Sequence, residues 1–368
     1  MTTIIPLKDV LIIKSIELNQ RDNSLNLLRL IFASFVLIGH SFGMIYAENN
    51  LPSSVNYIIS LAVPCFFVVS GYLITASALK NNFKKFLTKR FARIYPAYFC
   101  MLIAIVIFFA PLAYDICNGG QNVLLNYIKQ EPSPIRFVIF GLPLFLFSPT
   151  IGQTLIHSSS PYWNGSAWTL IFEFACYITI GLLMFGLSKF KVKKPVKIVS
   201  IFYLILVVIS FFYPRPEGIP TRDIYNLFVF MVNLLSIFLG GSIVYLIKDK
   251  LHFSPKYLLA AILICVLLMS LLPYSWACEL SAIPLLYIIL FISVKLKSPR
   301  WIKQNDISYG IYIYAWPVQS LIACYILVNT ININVYLYII ICWLVSALIA
   351  SISWFLVEKP ILNKVNKT

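Results

Sequence analysis

Long apolar segments recur along the whole chain, and they restrict the fold more than any other feature does. A helix that crosses a bilayer needs about 17–25 predominantly apolar residues, and ten segments reach or approach that length. The composition agrees, because 60% of the residues are hydrophobic and only 11% are charged, whereas a soluble protein is about 25% charged. The predicted spans are residues 27–47, 56–79, 97–114, 167–187, 198–213, 223–247, 257–273, 276–294, 307–328 and 335–356.

These segments predict an all-α integral membrane protein, a bundle of about ten transmembrane helices. A transmembrane β-barrel would instead show short segments of alternating polarity. The apolar run 135–147 is shorter, is flanked by prolines and is interrupted by Gly141-Leu142-Pro143. We expect it to form a re-entrant or interfacial segment within the long loop 115–166, since irregular backbone at membrane depth must be surrounded by protein.

The positions of lysine and arginine predict the topology. A net charge of +16 would suggest nucleic acid as the partner of a soluble protein, but in a membrane protein basic residues gather in the cytoplasmic loops. One set of loops and both termini hold most of them, and the opposite loops keep only Lys129, Arg136, Arg215 and Arg222. We therefore predict a cytoplasmic N-terminal segment (1–26), a single transmembrane domain (27–356), a cytoplasmic tail (357–368) and no nucleic-acid partner.

The eight cysteines show no Cys-x-x-Cys spacing, and no metal site is predicted. Most of them lie within apolar runs, where a free cysteine behaves as a small hydrophobic residue. Only Cys117 and Cys278 fall near one common side of the membrane. A disulfide between these two is left open by the sequence.

The first span carries two ionisable residues, Arg29 and His40. Eleven residues at about 100° each amount to roughly three turns, so both lie on one helix face, about 16 Å apart along the axis. Ionisable groups inside a span usually face the protein interior and mark a functional path. The alternatives are an arginine that extends to the membrane surface and a histidine that is merely hydrogen-bonded within the bundle.

Several separated motifs, by their order and spacing over almost the whole chain, resemble the acyltransferase-3 family of bacterial membrane acyltransferases. They are Arg29 and His40, Phe66-Phe67-Val68-Val69-Ser70-Gly71-Tyr72-Leu73, the basic loop Lys89-Arg90-Phe91-Ala92-Arg93-Ile94-Tyr95-Pro96-Ala97-Tyr98, Trp168-Thr169-Leu170-Ile171-Phe172-Glu173, Ser308-Tyr309-Gly310-Ile311-Tyr312 and Glu358-Lys359-Pro360.

The resemblance implies O-acylation, most often O-acetylation, of a cell-surface or exported glycan such as O-antigen, capsule or exopolysaccharide. It also implies acetyl-CoA as the usual donor and the bacterial inner membrane as the location. The essential histidine of the family falls on His40, the arginine before it on Arg29, and the basic motif on Arg90 and Arg93. One departure is Ala315, which stands where many relatives have a second histidine before Trp-Pro.

Helix depth suggests a partner for His40. His40 lies about seven residues from the outer end of the first predicted span, and Glu173 lies about six residues from the outer end of the antiparallel fourth span, so both are predicted to lie roughly 10 Å below the outer surface. A carboxylate beside an imidazole fixes its tautomer and stabilises the imidazolium. We therefore predict His40 as the general base, or as a transient acyl carrier, and Glu173 as its partner. The alternative for Glu173 is a structural hydrogen bond between helices.

A second group of polar residues is predicted at the inner side, namely Arg29, Arg90, Arg93, Ser308 and Glu358. The planar guanidinium binds phosphate through paired donors, so Arg90 and Arg93 are predicted to hold the acyl-CoA phosphates, with Arg29 extending the contact. Ser308 belongs to the predicted donor site, where it is expected to allow close helix packing or, alternatively, to contact the donor through its hydroxyl. The alternative is charge that serves only topology and lipid headgroup binding.

Two other classes of protein fit part of these features. A proton-coupled transporter or flippase of a glycan or small solute would also bury arginine, histidine and glutamate, but its two repeated halves are not visible here. A purely structural membrane protein leaves the buried ionisable residues unexplained. The favoured interpretation is a membrane O-acetyltransferase whose partners are acyl-CoA, a glycan or lipid-linked saccharide acceptor and membrane lipids.

Overall fold

The structure, a computed structural model, describes residues 23–45, 53–119, 121–216 and 223–367. The predicted segment 1–26 therefore lies almost wholly outside the described residues. Within them the chain contains no β-strand, and its sixteen α-helices are α1 (Leu25–Ile45), α2 (Ser53–Ser60), α3 (Ala62–Lys80), α4 (Phe83–Ala104), α5 (Ala110–Asn118), α6 (Val123–Ile128), α7 (Pro134–Gly141), α8 (Thr169–Lys189), α9 (Pro195–Phe212), α10 (Ile224–Leu246), α11 (Pro255–Leu271), α12 (Tyr274–Lys295), α13 (Arg300–Gln304), α14 (Ser308–Val328), α15 (Val335–Ser353) and α16 (Lys359–Lys367).

The helices confirm an all-α protein that crosses a membrane many times. In the described part of the chain, nine continuous helices are long and apolar enough to span a bilayer. The tenth predicted span corresponds to Pro255–Leu271, an apolar helix of 17 residues, which is at the lower limit for crossing the hydrocarbon core. Each predicted span therefore has a helix, although several boundaries differ.

The largest boundary difference is at the basic motif, which is helical and not a loop. Phe83–Asn118 is one continuous helix of 36 residues, in which a π-helical turn (Ile105–Phe109) joins α4 to α5. It begins at Asn82, whose side chain accepts a hydrogen bond from the backbone nitrogen of Lys85. The prediction of a loop was wrong because lysine and arginine form helices readily. Their charge ends the apolar segment, but it does not end the helix.

Helix α10 lies at the centre of the bundle, with nearly all side chains from Val229 to Val244 buried. It touches α3 through two glycines: a Cβ on Gly71 would lie 1.9 Å from the Phe238 carbonyl oxygen, and one on Gly241 would lie 2.0 Å from that of Val68. Small residues let membrane helices approach at backbone distance. This contact fixes the position of α3, which carries residues of the site described below.

The segment 135–147 contains only a short helix and is not a spanning helix. Helix α7 is only eight residues long, and its end packs against the middle of α4. The Tyr98 hydroxyl donates to the Gly141 carbonyl (2.8 Å), and the Tyr95 hydroxyl donates to that of Leu142 (3.2 Å). These bonds satisfy two backbone carbonyl groups that would have no hydrogen-bond partner in the hydrocarbon of a bilayer.

The structure does not contain the possible disulfide between Cys117 and Cys278, and it contains a different one. Cys117 is bonded to Cys324, and Cys278 is a free, buried cysteine. Helix α5 packs against α14, which brings the end of α5 to Cys324. Interpreting Cys324 as only a small hydrophobic residue was therefore wrong, because sequence does not show which helix lies beside α5.

Candidate active site

A cluster of buried charges joins four parts of the chain at the Ser308 end of α14. Asp306 forms ion pairs with both Arg29 of α1 and Arg93 of α4, and Arg93 is also 3.2 Å from the carboxylate of Glu358. All four side chains are largely shielded from solvent, Arg29 being the most exposed at 21%. We call these four residues the charged cluster.

Local sequence explains why Asp306 is available to both arginines. It lies in the turn just before α14, where the backbone nitrogen of Ser308 donates to its other carboxylate oxygen (3.3 Å), as does the Ser308 hydroxyl. Burial by itself would raise the pKa of Asp306, but the charges of Arg29 and Arg93 and the bonds from Ser308 lower it below the ordinary value. Asp306 is therefore ionised, and Ser308 serves first to orient it.

Arg90 lies one turn before Arg93 and differs from it in its partners. Its Nε has no hydrogen-bond partner, and one terminal nitrogen lies 3.4 Å from the Ser77 hydroxyl. Arg90 forms no ion pair with a carboxylate among the described residues. A buried guanidinium with unused donors can bind an anion at a lower cost than one whose donors already hold carboxylates.

A small cavity of about 40 Å³, partly open to solvent, lies next to the charged cluster. Helices α1, α3, α4, α8 and α14 contribute to its wall. Its lining includes Arg29, Phe66, Arg93, Glu173, Tyr177 and Tyr309. The wall combines charged and aromatic side chains, which suits a ligand with an anionic part and an apolar part.

Glu173 belongs to this cavity, and the structure does not bring it to His40. Its carboxylate accepts hydrogen bonds from the Ser70 hydroxyl (3.2 Å) and from the Tyr177 hydroxyl. The predicted depth of Glu173 was wrong because α8 begins beside the first turns of α14 and not beside the far end of that helix. It begins at Thr169, whose hydroxyl lies 2.6 Å from that of Tyr312 in the first turns of α14.

The loop before α8 sets this starting position. Trp163 and Asn164 are buried, and the Asn164 side chain donates to the Ile313 carbonyl (2.8 Å). The Ser166 carbonyl accepts a bond from the Tyr312 hydroxyl (2.6 Å). The chain therefore runs along α14 towards its Ser308 end before α8 starts, so Glu173 lies nearer that end of α14 than its place in the apolar run suggests.

His40 is half-buried and faces Trp316, with ring centroids 4.6 Å apart in an edge-to-face arrangement. Trp316 is itself held by the loop before α8. Its indole nitrogen donates to the Tyr162 carbonyl (2.8 Å), and a Cβ on Gly165 would lie only 2.2 Å from the indole. His40 does not line the cavity of Arg29 and Glu173. The site thus has two parts along α1.

Asp306 and Tyr177 are the residues that sequence reasoning missed. A signal for Asp306 was present, because the chain has only 13 acidic residues and this one directly precedes the Ser308 motif. An acidic residue at the start of a helix ordinarily caps it, which hides any other role. Tyr177 had no signal apart from its place one helical turn after Glu173.

Another buried carboxylate, Glu279 in α12, belongs to a separate network. It accepts hydrogen bonds from the Ser210 hydroxyl (2.6 Å) and from the Asn233 side chain. Arg215 donates to the same asparagine (3.0 Å). The network is satisfied by its own members, as buried polar groups generally are, and it joins α9, α10 and α12.

The chain is similar to known proteins over most of its length. A family model described as an acyltransferase domain matches residues 22–357. An O-acetyl transferase of Shigella phage Sf6 is 26% identical over 348 residues, which cover 94% of this chain and 97% of the relative. A putative peptidoglycan O-acetyltransferase of Bacillus subtilis is 24% identical, covering 82% of this chain and 50% of the relative.

Nodulation protein 10 of Rhizobium leguminosarum is 28% identical over 175 residues, 44% of each chain. No solved structure matches the chain.

Proposed function

Because the chain belongs to the acyltransferase-3 family of membrane O-acyltransferases, we propose that it transfers an acetyl group from acetyl-CoA to a hydroxyl of a cell-surface or exported glycan. The arrangement along α1 carries this proposal. Arg29 lines the cavity beside the charged cluster, and His40 follows on the same face about 16 Å farther along the axis. One helix therefore offers a place for an anionic donor and a base beyond it.

His40 acts as the general base in this proposal. The glycan hydroxyl attacks the thioester carbonyl carbon, and the imidazole accepts the hydroxyl proton. The new C–O ester bond forms, the C–S bond breaks, and the departing CoA sulfur takes the proton from the imidazolium. The products are the acetyl ester and CoA thiol. Trp316, held at 4.6 Å by the loop before α8, keeps the imidazole ring in place.

The charges around the cavity support a donor site. Arg29, Arg93 and Glu173 line the cavity, and Arg90, Asp306 and Glu358 lie near them without lining it. Three arginines thus face three carboxylates, so the group is close to neutral before a ligand binds. Arg29 and Arg93 already hold Asp306, whereas Arg90 has donors to spare. We therefore assign the first phosphate contact to Arg90 and a shaping role to the other two. Glu173 is reassigned from the imidazole to this donor side.

Replacing Arg90 with alanine is expected to raise the KM for acetyl-CoA by about 10- to 100-fold and to change kcat less. The reason is the loss of charge-assisted hydrogen bonds, which are worth about 1.5–3 kcal/mol. Steady-state kinetics on membranes with equal amounts of protein measure it. Lys84→Ala, an exposed cation on the same helix, is the matched control, and an equal effect of both variants would contradict the assignment.

The acceptor approaches from the His40 side in this proposal. Relatives described as O-acetyl transferase and as putative peptidoglycan O-acetyltransferase support a glycan or a lipid-linked saccharide as the acceptor class. The distribution of lysine and arginine supports a cytoplasmic location for both termini and for the Arg29 end of α1. Acetyl-CoA is then drawn from the cytosol, and the membrane is the bacterial inner membrane, whose lipids surround the bundle.

Membrane vesicles of both orientations test donor, acceptor side and topology together. Acetyl-CoA does not cross membranes, so labelled acetyl-CoA added outside should label glycan in everted inner-membrane vesicles and not in right-side-out vesicles. Vesicles without the protein are the control, and mass spectrometry of the glycan identifies the ester. Label in right-side-out vesicles alone would reverse the topology. Glycan flux without acetyl transfer would instead favour a transporter or flippase.

A further inference from the structure

Gln319 is a fully buried residue of α14 that binds the turn of α1 carrying His40. Its side-chain nitrogen donates to the Leu37 carbonyl (2.8 Å) and to the Ser41 hydroxyl (2.7 Å). The Ser41 hydroxyl in turn donates to the Leu37 carbonyl (2.9 Å). Leu37 comes three residues before His40 and Ser41 comes one residue after it. The two contacts therefore lie on either side of the imidazole along the chain.

The partners of Gln319 fix the orientation of its amide. A carbonyl oxygen only accepts hydrogen bonds, so the nitrogen and not the oxygen of the amide must face Leu37. The Tyr338 hydroxyl of α15 donates to the backbone carbonyl of Gln319 (2.9 Å), which joins the same turn of α14 to a third helix. Away from water such bonds are strong and directional, so this turn of α14 has a defined position against α1.

Gln319 provides a second polar contact for α1, far from the first. The first is the ion pair of Arg29 with Asp306, directly before α14. Arg29 and Ser41 are twelve residues apart, about 18 Å along the axis of α1. One contact near the beginning of a helix leaves its other end free to rotate and tilt, whereas two contacts at this separation restrict both movements.

The ring contact of His40 lies on the same part of α14. Trp316, which meets the imidazole edge-to-face at 4.6 Å, comes three residues before Gln319, about one helical turn away. Apolar packing between two helices permits more than one register, whereas a buried polar residue specifies a single one. The hydrogen bonds of Gln319 thus determine which part of α1 Trp316 meets.

We propose that Gln319 is a positioning residue for His40, because it fixes the turn from Leu37 to Ser41 against α14 and so holds the imidazole beside Trp316. Its importance for catalysis rests on the proposed function, in which His40 is the general base. Gln319 is fully buried and does not line the donor cavity. It therefore acts through α1 and takes no part in proton transfer itself.

Replacing Gln319 with methionine is expected to lower kcat by about 10- to 100-fold and to leave the KM for acetyl-CoA nearly unchanged. Methionine has a similar length but donates no hydrogen bond, and a displacement of about 1 Å at a reacting group costs up to about 100-fold in rate. The donor cavity at the Arg29 end keeps its ion pair. The melting temperature should change little, since hydrogen bonds between membrane helices contribute little to stability. Steady-state kinetics on everted vesicles with equal amounts of protein measure both constants.

The position of the imidazole can also be measured without enzyme activity. Diethyl pyrocarbonate modifies accessible imidazole nitrogens, and mass spectrometry gives the rate for His40 relative to the exposed His157 of the same sample. Gln319→Met should raise this relative rate, because the imidazole loses its fixed place beside Trp316. An unchanged kcat or an unchanged relative rate would refute the positioning role.

Trp343→Phe is the matched control. The Trp343 indole of α15 donates to the Ser34 hydroxyl of α1 (2.9 Å), so this variant also removes a hydrogen bond to α1, but six residues before His40. It should keep the wild-type kcat and labelling rate. Equal effects of Trp343→Phe and Gln319→Met would indicate a general loosening of α1 and contradict a specific role for Gln319.

Ser41→Ala gives a second measurement if Gln319→Met does not accumulate. It removes one of the two acceptors of Gln319 and leaves the Leu37 carbonyl, so kcat should fall by less than in Gln319→Met. A wild-type kcat in Ser41→Ala would count against the inference.

The two hypotheses fail in different ways. If the wild type transfers acetyl groups and Gln319→Met matches it in kcat and in the labelling rate of His40, the positioning role is wrong while the proposed function stands. If the wild type transfers no acetyl group from acetyl-CoA, the proposed function is wrong, whatever the labelling rates are.

Discussion

Acetyl transfer should fall by about 10²- to 10⁴-fold when His40 is replaced with alanine, because this is the usual contribution of a general base. In the proposal only this imidazole stands beside the acceptor hydroxyl, so a neighbouring group does not take over its proton. The measurement is labelled acetyl transfer to glycan in everted membranes that hold equal amounts of wild type or variant. The amount and the melting temperature of the protein should change little, since His40 is only half-buried.

His157→Ala is the matched control for His40. His157 is an exposed histidine in the loop before α8, so its loss should leave transfer unchanged.

Trp316→Phe provides an intermediate case. It keeps an aromatic ring beside the imidazole but removes the bond to the Tyr162 carbonyl, so kcat should fall more than the KM for acetyl-CoA rises. Undiminished transfer by His40→Ala at equal expression would refute the proposed role of the base.

Replacing Asp306 with alanine should have the largest effect on stability. Asp306 neutralises Arg29 and Arg93 at once, and removal of one partner from a buried ion pair costs about 3–5 kcal/mol because the remaining charge is left without compensation. The variant should melt at a lower temperature in detergent and accumulate less in membranes. Asp306→Asn should be intermediate, since its amide can still accept one bond but carries no charge.

Asp249→Ala is the control for Asp306. Asp249 pairs with Lys248 at 3.5 Å, but its side chain is 88% exposed, and exposed pairs contribute little to stability. Its variant should therefore melt like the wild type. Equal melting temperatures for Asp306→Ala and the wild type would show that the charged cluster does not hold α1, α4 and α14 together.

The same residue, Asp306, makes the stability of the charged cluster depend on pH. Because the pKa of Asp306 is lowered in the folded protein, its stabilising contribution is complete above the ordinary aspartate range and is lost as the pH falls through the lowered value. Protonation of Asp306 therefore does not explain a loss of acetyl transfer at neutral pH or above.

Some features of this fold were predictable from local sequence, because they depend only on the hydrophobicity and spacing of residues within one segment. Apolar length predicted ten helices, and α11 is the one that falls at the limit. Helical periodicity placed Arg29 and His40 on one face. The prolines and the Gly141-Leu142-Pro143 interruption predicted that segment 135–147 is not a spanning helix, and Tyr95 and Tyr98 bind the end of its short helix.

Other features were missed because local signals conflict or give no information about neighbours. The basic motif around Arg90 was interpreted as a loop, although its residues favour a helix. The partner of Cys117 depends on which helix packs against α5, and hydropathy does not contain that information. Asp306 has the sequence context of an ordinary helix cap, so its bonds to Arg29 and Arg93 became visible only when α1 and α4 were placed beside it.

The sequence by itself determined the class of the protein, its helices and the two ionisable residues on α1, because bilayer length and helix periodicity act within one segment. Only the tertiary structure decided what these residues face. Glu173 lies with Arg29 in the cavity and not beside His40, because buried bonds from Asn164 and Tyr312 hold the preceding loop against α14 and start α8 deep in the bundle. Such contacts join residues about 150 positions apart, and hydropathy and helix periodicity do not encode a distance of that kind.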